Sequence, residues 1–85
     1  MAQSRSPDEI RRTALAIYNA RERTVLDYAA NPDFMREGRT PPEAMAEDLL
    51  NPAVNGLDMA QWNDDELRHL RQALIELAQS DMEAT

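Results

Sequence analysis

His69 is the only histidine in the chain, and Glu66 lies three residues before it. On a helix, Glu-x-x-His presents two metal ligands on one face, which is the spacing used by helical di-iron sites. Such a site also needs inward-facing carboxylates and usually a second Glu-x-x-His, which only a symmetric dimer could supply here. His69 lies opposite the predicted apolar face, and Glu66 is needed at a helix start. We therefore predict no metal site and no cofactor.

Groups for acid-base or nucleophilic catalysis are not brought together by the sequence. General acid and base chemistry uses paired carboxylates in a desolvated cleft, whereas the acids here fall in the first turns of helices or on polar faces. No base can be assigned to the serines, and Gly38 and Gly56 are too isolated to bind a phosphate. The sequence predicts a protein that is not an enzyme.

The most unusual run of charge lies between Arg39 and Arg68, where seven acids occur without a basic residue. Four of them occupy the first turns of predicted helices, where a carboxylate offsets the helix dipole by roughly 0.3 to 1 kcal/mol. Helix capping does not explain Glu47, Asp48 and Asp58. Together with the four first-turn acids, they would form a negative surface that binds a basic protein partner. Both explanations fit the sequence. The predicted partner-binding residues are Glu43, Glu47, Asp48, Asp58, Asp64 and Asp65.

Arginine supplies all nine basic residues, and the formal net charge is −7. Arg5, Arg12 and Arg23 lie on the polar side of the first predicted helix, but Glu9 and Asp27 share that side and weaken the positive field. A single chain is therefore not expected to bind nucleic acid. The alternative is a dimeric nucleic-acid-associated regulator that brings the Arg12 and Arg23 faces of two chains together.

Helix starts are predicted by three patterns in which a capping residue lies three positions before a glutamate. The patterns are Ser6-Pro7-Asp8-Glu9, Thr40-Pro41-Pro42-Glu43 and Asn63-Asp64-Asp65-Glu66. They predict a long helix at residues 7–30, a short helix at 41–50 and a medium helix from the Asn63 cap to Gln79, with an extra turn near Phe34 closed by Gly38 in a left-handed conformation. The fold class is all-α, a small three-helix bundle. Residues 7–80 form the predicted domain, with flexible ends at 1–6 and 81–85.

The third predicted helix carries one narrow apolar face that indicates a core: Leu67, Leu70, Leu74, Leu77 and Ala78. The first helix differs, because its apolar residues cover an arc approaching half of the circumference. Either this helix is central and flanked by the other two, or a second chain covers part of its face in a two-fold dimer. The residues predicted for this dimer or partner face are Leu15, Tyr18, Arg21, Glu22 and Leu26.

Three charged residues lie within the predicted apolar faces: Arg21, Glu22 and Arg71. Their long stems could cover apolar surface while their charged groups reach water. Alternatively, they form buried or interfacial ion pairs, with Asp27, Asp48 and Glu22 as the candidate carboxylates. A third alternative is that Arg21 binds a ligand directly.

Size and composition place the protein among small intracellular domains. An 85-residue chain buries only about 60% of its unfolded surface, so a partner would add stability. The absence of cysteine fits a reducing compartment, and no apolar run approaches the roughly 18 residues of a membrane span. We expect a cytoplasmic protein without membrane contact.

The leading functional prediction is a non-catalytic adaptor or inhibitor that binds a basic protein surface. Arginine without lysine points to a bacterial or phage source, and one form of the prediction is a phage-encoded inhibitor of a nucleic-acid-handling defence complex. A structural subunit of a phage or other assembly is a further alternative.

Overall fold

The computed structural model describes residues 5–31, 38–51, 56 and 59–84. Within these residues the chain forms four α-helices and no strand: α1 (Pro7–Asn19), α2 (Val25–Ala30), α3 (Pro41–Leu49) and α4 (Asp64–Ala84). A short 3-10 helix at Met59–Gln61 precedes α4. The all-α prediction is confirmed. None of the helices in the described residues is long and apolar enough to cross a bilayer.

α1 and α3 begin at the residues that the capping patterns predict. The Ser6 hydroxyl accepts a hydrogen bond from the Glu9 N–H at 3.2 Å. At α3 the Thr40 hydroxyl accepts the Glu43 N–H, and the Glu43 carboxylate accepts the Thr40 N–H at 3.1 Å. These bonds satisfy N–H groups that have no partner within the helix.

α4 begins as predicted and ends later than predicted. Asn63 accepts the Glu66 N–H at 2.8 Å, and Glu66 accepts the Asn63 N–H at 2.9 Å. The helix then continues to Ala84, past the predicted end at Gln79. Asp81, in the added segment, accepts hydrogen bonds from Tyr18 of α1 and from Arg21, which follows α1. These contacts support the additional turn.

The predicted long helix at residues 7–30 is wrong, because α1 and α2 are separated by residues 20–24. Thr24 has extended backbone angles (φ −97°, ψ 166°), which a helix cannot accommodate. Its N–H and hydroxyl both donate to the Asp27 carboxylate, at 2.8 and 3.3 Å. Thr24 and Asp27 therefore start a new helix. The described residues thus hold four helices where the sequence predicts three. The wide predicted apolar arc combined the buried faces of two separate helices, α1 and α2.

α4 is the central helix, since it packs against each of the other three. Of the predicted apolar face, Leu70, Leu74 and Ala78 are fully buried, whereas Leu67 and Leu77 are half-buried. The neighbouring helices complete the core with Ile10, Ala14, Ile17 and Tyr18 from α1, Val25 and Tyr28 from α2, and Ala44, Met45, Ala46 and Leu49 from α3. α4, and not the first predicted helix, thus occupies the middle of the fold.

α1 and α4 run in the same direction. Arg5, just before α1, donates its N–H to Glu66 in the first turn of α4 at 2.7 Å. Tyr18, near the end of α1, donates its hydroxyl to Asp81, near the end of α4, at 2.6 Å. The starts of both helices therefore lie at one end of the molecule and their C-terminal ends at the other.

Gly38 has a φ of 72°, the left-handed conformation expected of it. The extra turn predicted near Phe34 lies outside the described residues, as does Asp58 of the predicted acidic surface.

Candidate functional site

Arg21 ties the C-terminal end of α1 to α4. Its Nη1 donates to the Tyr18 carbonyl at 2.7 Å, and its Nη2 donates to Asp81 Oδ2 at 3.1 Å. The guanidinium lies over the Tyr18 ring, 4.0 Å from its centroid, and the buried Nε has no hydrogen-bond partner in the described part of the chain. An ion pair is thus observed, but its carboxylate is none of the three predicted ones: Asp27, Asp48 and Glu22.

Tyr18 is buried, although it is predicted for an exposed dimer or partner face. Burial, and then the hydrogen bond to Asp81, raises the pKa of Tyr18 well above its usual range. Leu15 and Leu26 are each 47% exposed, but they lie on different helices. Glu22 is exposed. The burial of Tyr18 removes it from any surface that this protomer could offer to a partner.

Tyr28 joins α2 to α3. Its hydroxyl donates to Asp48 Oδ2 at 2.8 Å. Burial, and then this hydrogen bond, raises the pKa of Tyr28 to about 12, while the Arg23 guanidinium opposes the rise. Asp48, a residue of the predicted acidic surface, therefore has a structural role.

Glu43 and Glu47 of the predicted acidic surface lie next to arginines. Glu47 Oε2 is 2.6 Å from Arg39 Nη1, and its Oε1 is 3.5 Å from Arg71 Nη2. Glu43 Oε2 is 3.9 Å from the same Arg71 nitrogen. Hydrogen bonds from the Thr40 hydroxyl and N–H hold the pKa of Glu43 below its usual range. Arg71 thus links α4 to α3 and offsets part of the negative charge there.

Glu66 holds the starts of α1 and α4 together. Its carboxylate accepts the N–H of Arg5 at 2.7 Å, the N–H of Asn63 at 2.9 Å and the Arg5 Nη1 at 3.3 Å. The two backbone N–H groups, that of Arg5 first, lower the pKa of this carboxyl group, which is only 5% exposed. The Arg5 guanidinium also lies over the Trp62 ring, 4.1 Å from its centroid.

Four exposed carboxylates surround this junction, and we call them the acidic end: Asp8, Glu9, Asp64 and Asp65. They come from the first turns of α1 and α4, which meet because the two helices are parallel. Asp65 Oδ1 is 3.1 Å from Arg68 Nη2, and the side chains of both residues are exposed. Asp64 and Asp65 belong to the predicted partner-binding set, and Asp8 and Glu9 lie in the adjoining first turn of α1.

A cleft of about 760 Å³ lies between α1, residues 20–23 and α3. Its apolar lining consists of Ala16, Ile17, Ala20, Met45 and Leu49. Its charged lining consists of Arg12, Arg21, Arg23, Glu22 and Asp48. We call it the arginine cleft, because three of the nine arginines of an acidic chain meet there. Arg12 and Arg23, which the sequence places on the same polar side, line one concave surface of a single protomer.

His69 is exposed, and Glu66 is engaged by Arg5 and Asn63. Among the described residues, no group of three or more His, Asp or Glu side chains is arranged to hold a metal ion. The glutamate of this Glu-x-x-His pattern therefore caps the start of α4.

Sequence reasoning missed three residues that hold the fold together. Asp81 follows Leu74 and Ala78 on the same helical face, so a longer predicted α4 would have directed it toward α1. Asp27 lies three residues after Thr24, which is a capping pattern with aspartate in place of glutamate. Nothing local identifies Arg5 as the partner of Glu66. No protein-family model, curated protein or solved structure matches the chain.

Proposed function

We propose that the protein is a small non-catalytic binding protein, an adaptor or inhibitor, whose acidic end contacts a basic surface of a partner protein. The observation that carries the proposal is the parallel packing of α1 and α4, which brings two acidic first turns to one end of the molecule.

The charge at this end remains negative after its internal pairs are counted. Five carboxylates, the acidic end and Glu66, stand against the two guanidiniums of Arg5 and Arg68. A surface of this kind attracts a basic partner and repels an acidic one. Helix capping does not exclude this role, because the four side chains of the acidic end are exposed.

The partner-binding set is accordingly narrower than the sequence predicts. Glu43 and Glu47 are paired with Arg71 and Arg39, and Asp48 accepts the Tyr28 hydroxyl. Asp64 and Asp65 remain at the centre of the proposed surface. One form of the proposal is a phage-encoded inhibitor of a nucleic-acid-handling complex, since carboxylates on a rigid surface can occupy positions that otherwise bind phosphates.

The experiment compares two triple variants with the wild type on an immobilised arginine-rich peptide at low salt. D8N/D64N/D65N is expected to lose retention. E22Q/E76Q/E83Q changes the net charge by the same amount at exposed positions elsewhere and should be retained like the wild type. Circular dichroism verifies folding, because each first-turn neutralisation costs roughly 0.3 to 1 kcal/mol. Equal losses in both variants, or no loss in the first, would refute the proposal.

A further inference from the structure

We infer that the Trp62 ring, the Glu66 carboxylate and the Gln61 carbonyl form a site for an arginine side chain of the basic partner, and that Arg5 of the same chain occupies this site until the partner displaces it. We call these three groups the guanidinium site. The inference rests on the proposed function, because it names the side chain by which a basic partner binds beside the acidic end.

The guanidinium site holds the Arg5 guanidinium in the structure. This group lies over the Trp62 ring, 4.1 Å from its centroid. Its Nη1 donates to the Gln61 carbonyl at 3.1 Å and lies 3.3 and 3.4 Å from the two Glu66 carboxylate oxygens. A guanidinium binds through its flat face, its charge and its N–H groups, and the site offers an aromatic face, a carboxylate and a carbonyl. The contacts of Arg5 therefore indicate which group this site accepts.

Burial of Glu66 makes a positively charged occupant necessary. Glu66 is only 5% exposed. Its carboxylate accepts the backbone N–H groups of Arg5 and Asn63, which are neutral donors, and the Arg5 guanidinium supplies the compensating charge. A buried carboxylate that loses its cation destabilises the folded state. A partner arginine makes the same kinds of contact as Arg5, so exchanging one for the other leaves Glu66 paired.

The guanidinium site is accessible from the surface. Gln61 is exposed, and the Arg5 side chain remains 26% exposed while it occupies the site. Arg5 Nε also lies 3.9 Å from Oε2 of Glu9, an exposed carboxylate of the acidic end. The side chain of Arg5 can therefore leave the site and keep an ion pair, while its backbone N–H stays bonded to Glu66.

Arg5 competes with the partner for the guanidinium site. A tethered group acts at an effective concentration on the order of millimolar, so a single free arginine displaces it poorly. A partner that presents several arginines has an advantage, because the others bind the acidic end while one enters the site. Removing the Arg5 side chain should therefore strengthen binding, although it also removes a contact within the protein.

The fluorescence of Trp62, the only tryptophan in the chain, reports on the site directly. The test titrates the full chain with a capped peptide of glycine, serine and arginine. A matched peptide carries lysine in place of each arginine. We expect the arginine peptide to change the Trp62 emission. The lysine peptide should bind roughly tenfold more weakly, because an ammonium group has neither the planar face nor the paired N–H groups.

Variants of the protein separate the site from general charge effects. R5A should bind the arginine peptide roughly tenfold more tightly than the wild type, because the competing side chain is gone. R68A removes the other guanidinium near the acidic end, with the same change in net charge, and should strengthen binding much less. R5K keeps a cation beside Glu66 but lacks the planar group, so it should also bind more tightly than the wild type. Circular dichroism confirms that each variant is folded.

Several outcomes would overturn the inference. They are equal affinity for the two peptides, binding by R5A and R5K no tighter than that of the wild type, an equal gain in R5A and R68A, and peptide binding without a change in the Trp62 emission. No binding of either peptide to the wild type, R5A or R5K would overturn it as well.

The same titrations distinguish this inference from the proposed function. Equal affinity for the arginine and lysine peptides, lost in D8N/D64N/D65N, would refute the guanidinium site and support the acidic end, which attracts either charge. Undiminished binding of the arginine peptide by that triple variant, with the same change in the Trp62 emission, would refute the acidic end and support the guanidinium site.

Discussion

Each of the two tyrosines donates its hydroxyl to a carboxylate on another helix. Tyr18 pairs with Asp81 and Tyr28 with Asp48. A buried hydroxyl needs such a partner, since leaving it unsatisfied costs roughly 1 to 3 kcal/mol. Because the neutral phenol is favoured by burial and by the adjacent carboxylate, ionising either residue opposes folding.

The tyrosines are expected to resist ionisation in the folded protein. The pKa of Tyr28 is raised to about 12 and that of Tyr18 is raised further, whereas both lie near 10 in the unfolded chain. The contribution of each raised pKa to stability is therefore complete below about pH 10 and is lost as the pH rises toward the folded pKa. Phenolate absorbance should show no step near pH 10 in the native protein and a step for both residues there in denaturant. A native step near pH 10 would contradict the hydrogen-bonded, buried positions.

The short helices depend on their caps and on packing. α2 has six residues and α3 has nine, and isolated helices of this length are not stable in water. Thr24 and Thr40 start them with side-chain bonds, and α4 supplies the surface on which both pack. The break between α1 and α2 follows from this arrangement, because it lets Val25 and Tyr28 enter the core.

Asn63 tests the contribution of a cap to the central helix. Replacing it with alanine is expected to lower the free energy of unfolding by about 1 kcal/mol, because the Glu66 N–H loses its acceptor. Asn63→Gly should cost only a few tenths of a kcal/mol, since glycine is tolerated at this position. Urea denaturation followed by circular dichroism measures both. A glycine variant less stable than the alanine variant would contradict the capping role.

In the whole molecule, the acidic end and the arginine cleft are separate surfaces. The acidic end lies where α1 and α4 start, whereas the cleft is lined by α1 from Arg12 onward, residues 20–23, Tyr28 and α3. The parallel packing of α1 and α4 accounts for the acidic end, whereas the described residues that line the cleft include none from α4.

Dimerisation through α1 stays a prediction, and it now depends on fewer residues. Tyr18 and Arg21 are used within the protomer, which leaves Leu15 as the large exposed hydrophobic residue of α1 and Leu26 as that of α2. If these leucines form the interface, sedimentation velocity should show a dimer for the wild type and a monomer for Leu15→Glu. Met82→Glu, at another exposed hydrophobic position, should leave the dimer intact. A monomeric wild type would contradict the prediction.

The sequence by itself determined where α1, α3 and α4 start and which face of α4 is buried. A cap joins residues three positions apart, and the apolar stripe of Leu70, Leu74 and Ala78 repeats within one helix, so both can be read locally. The break at residues 20–24 also has a local signal, because Thr24 and Asp27 form a cap in which aspartate takes the place of glutamate.

Only the tertiary structure decided which of these elements lie together. The bonds of Arg5 with Glu66 and of Tyr18 and Arg21 with Asp81 join residues about sixty positions apart. Their formation depends on how α4 packs against α1, which no short-range pattern specifies. The acidic end is a product of that packing, so the sequence could supply its residues but not their association.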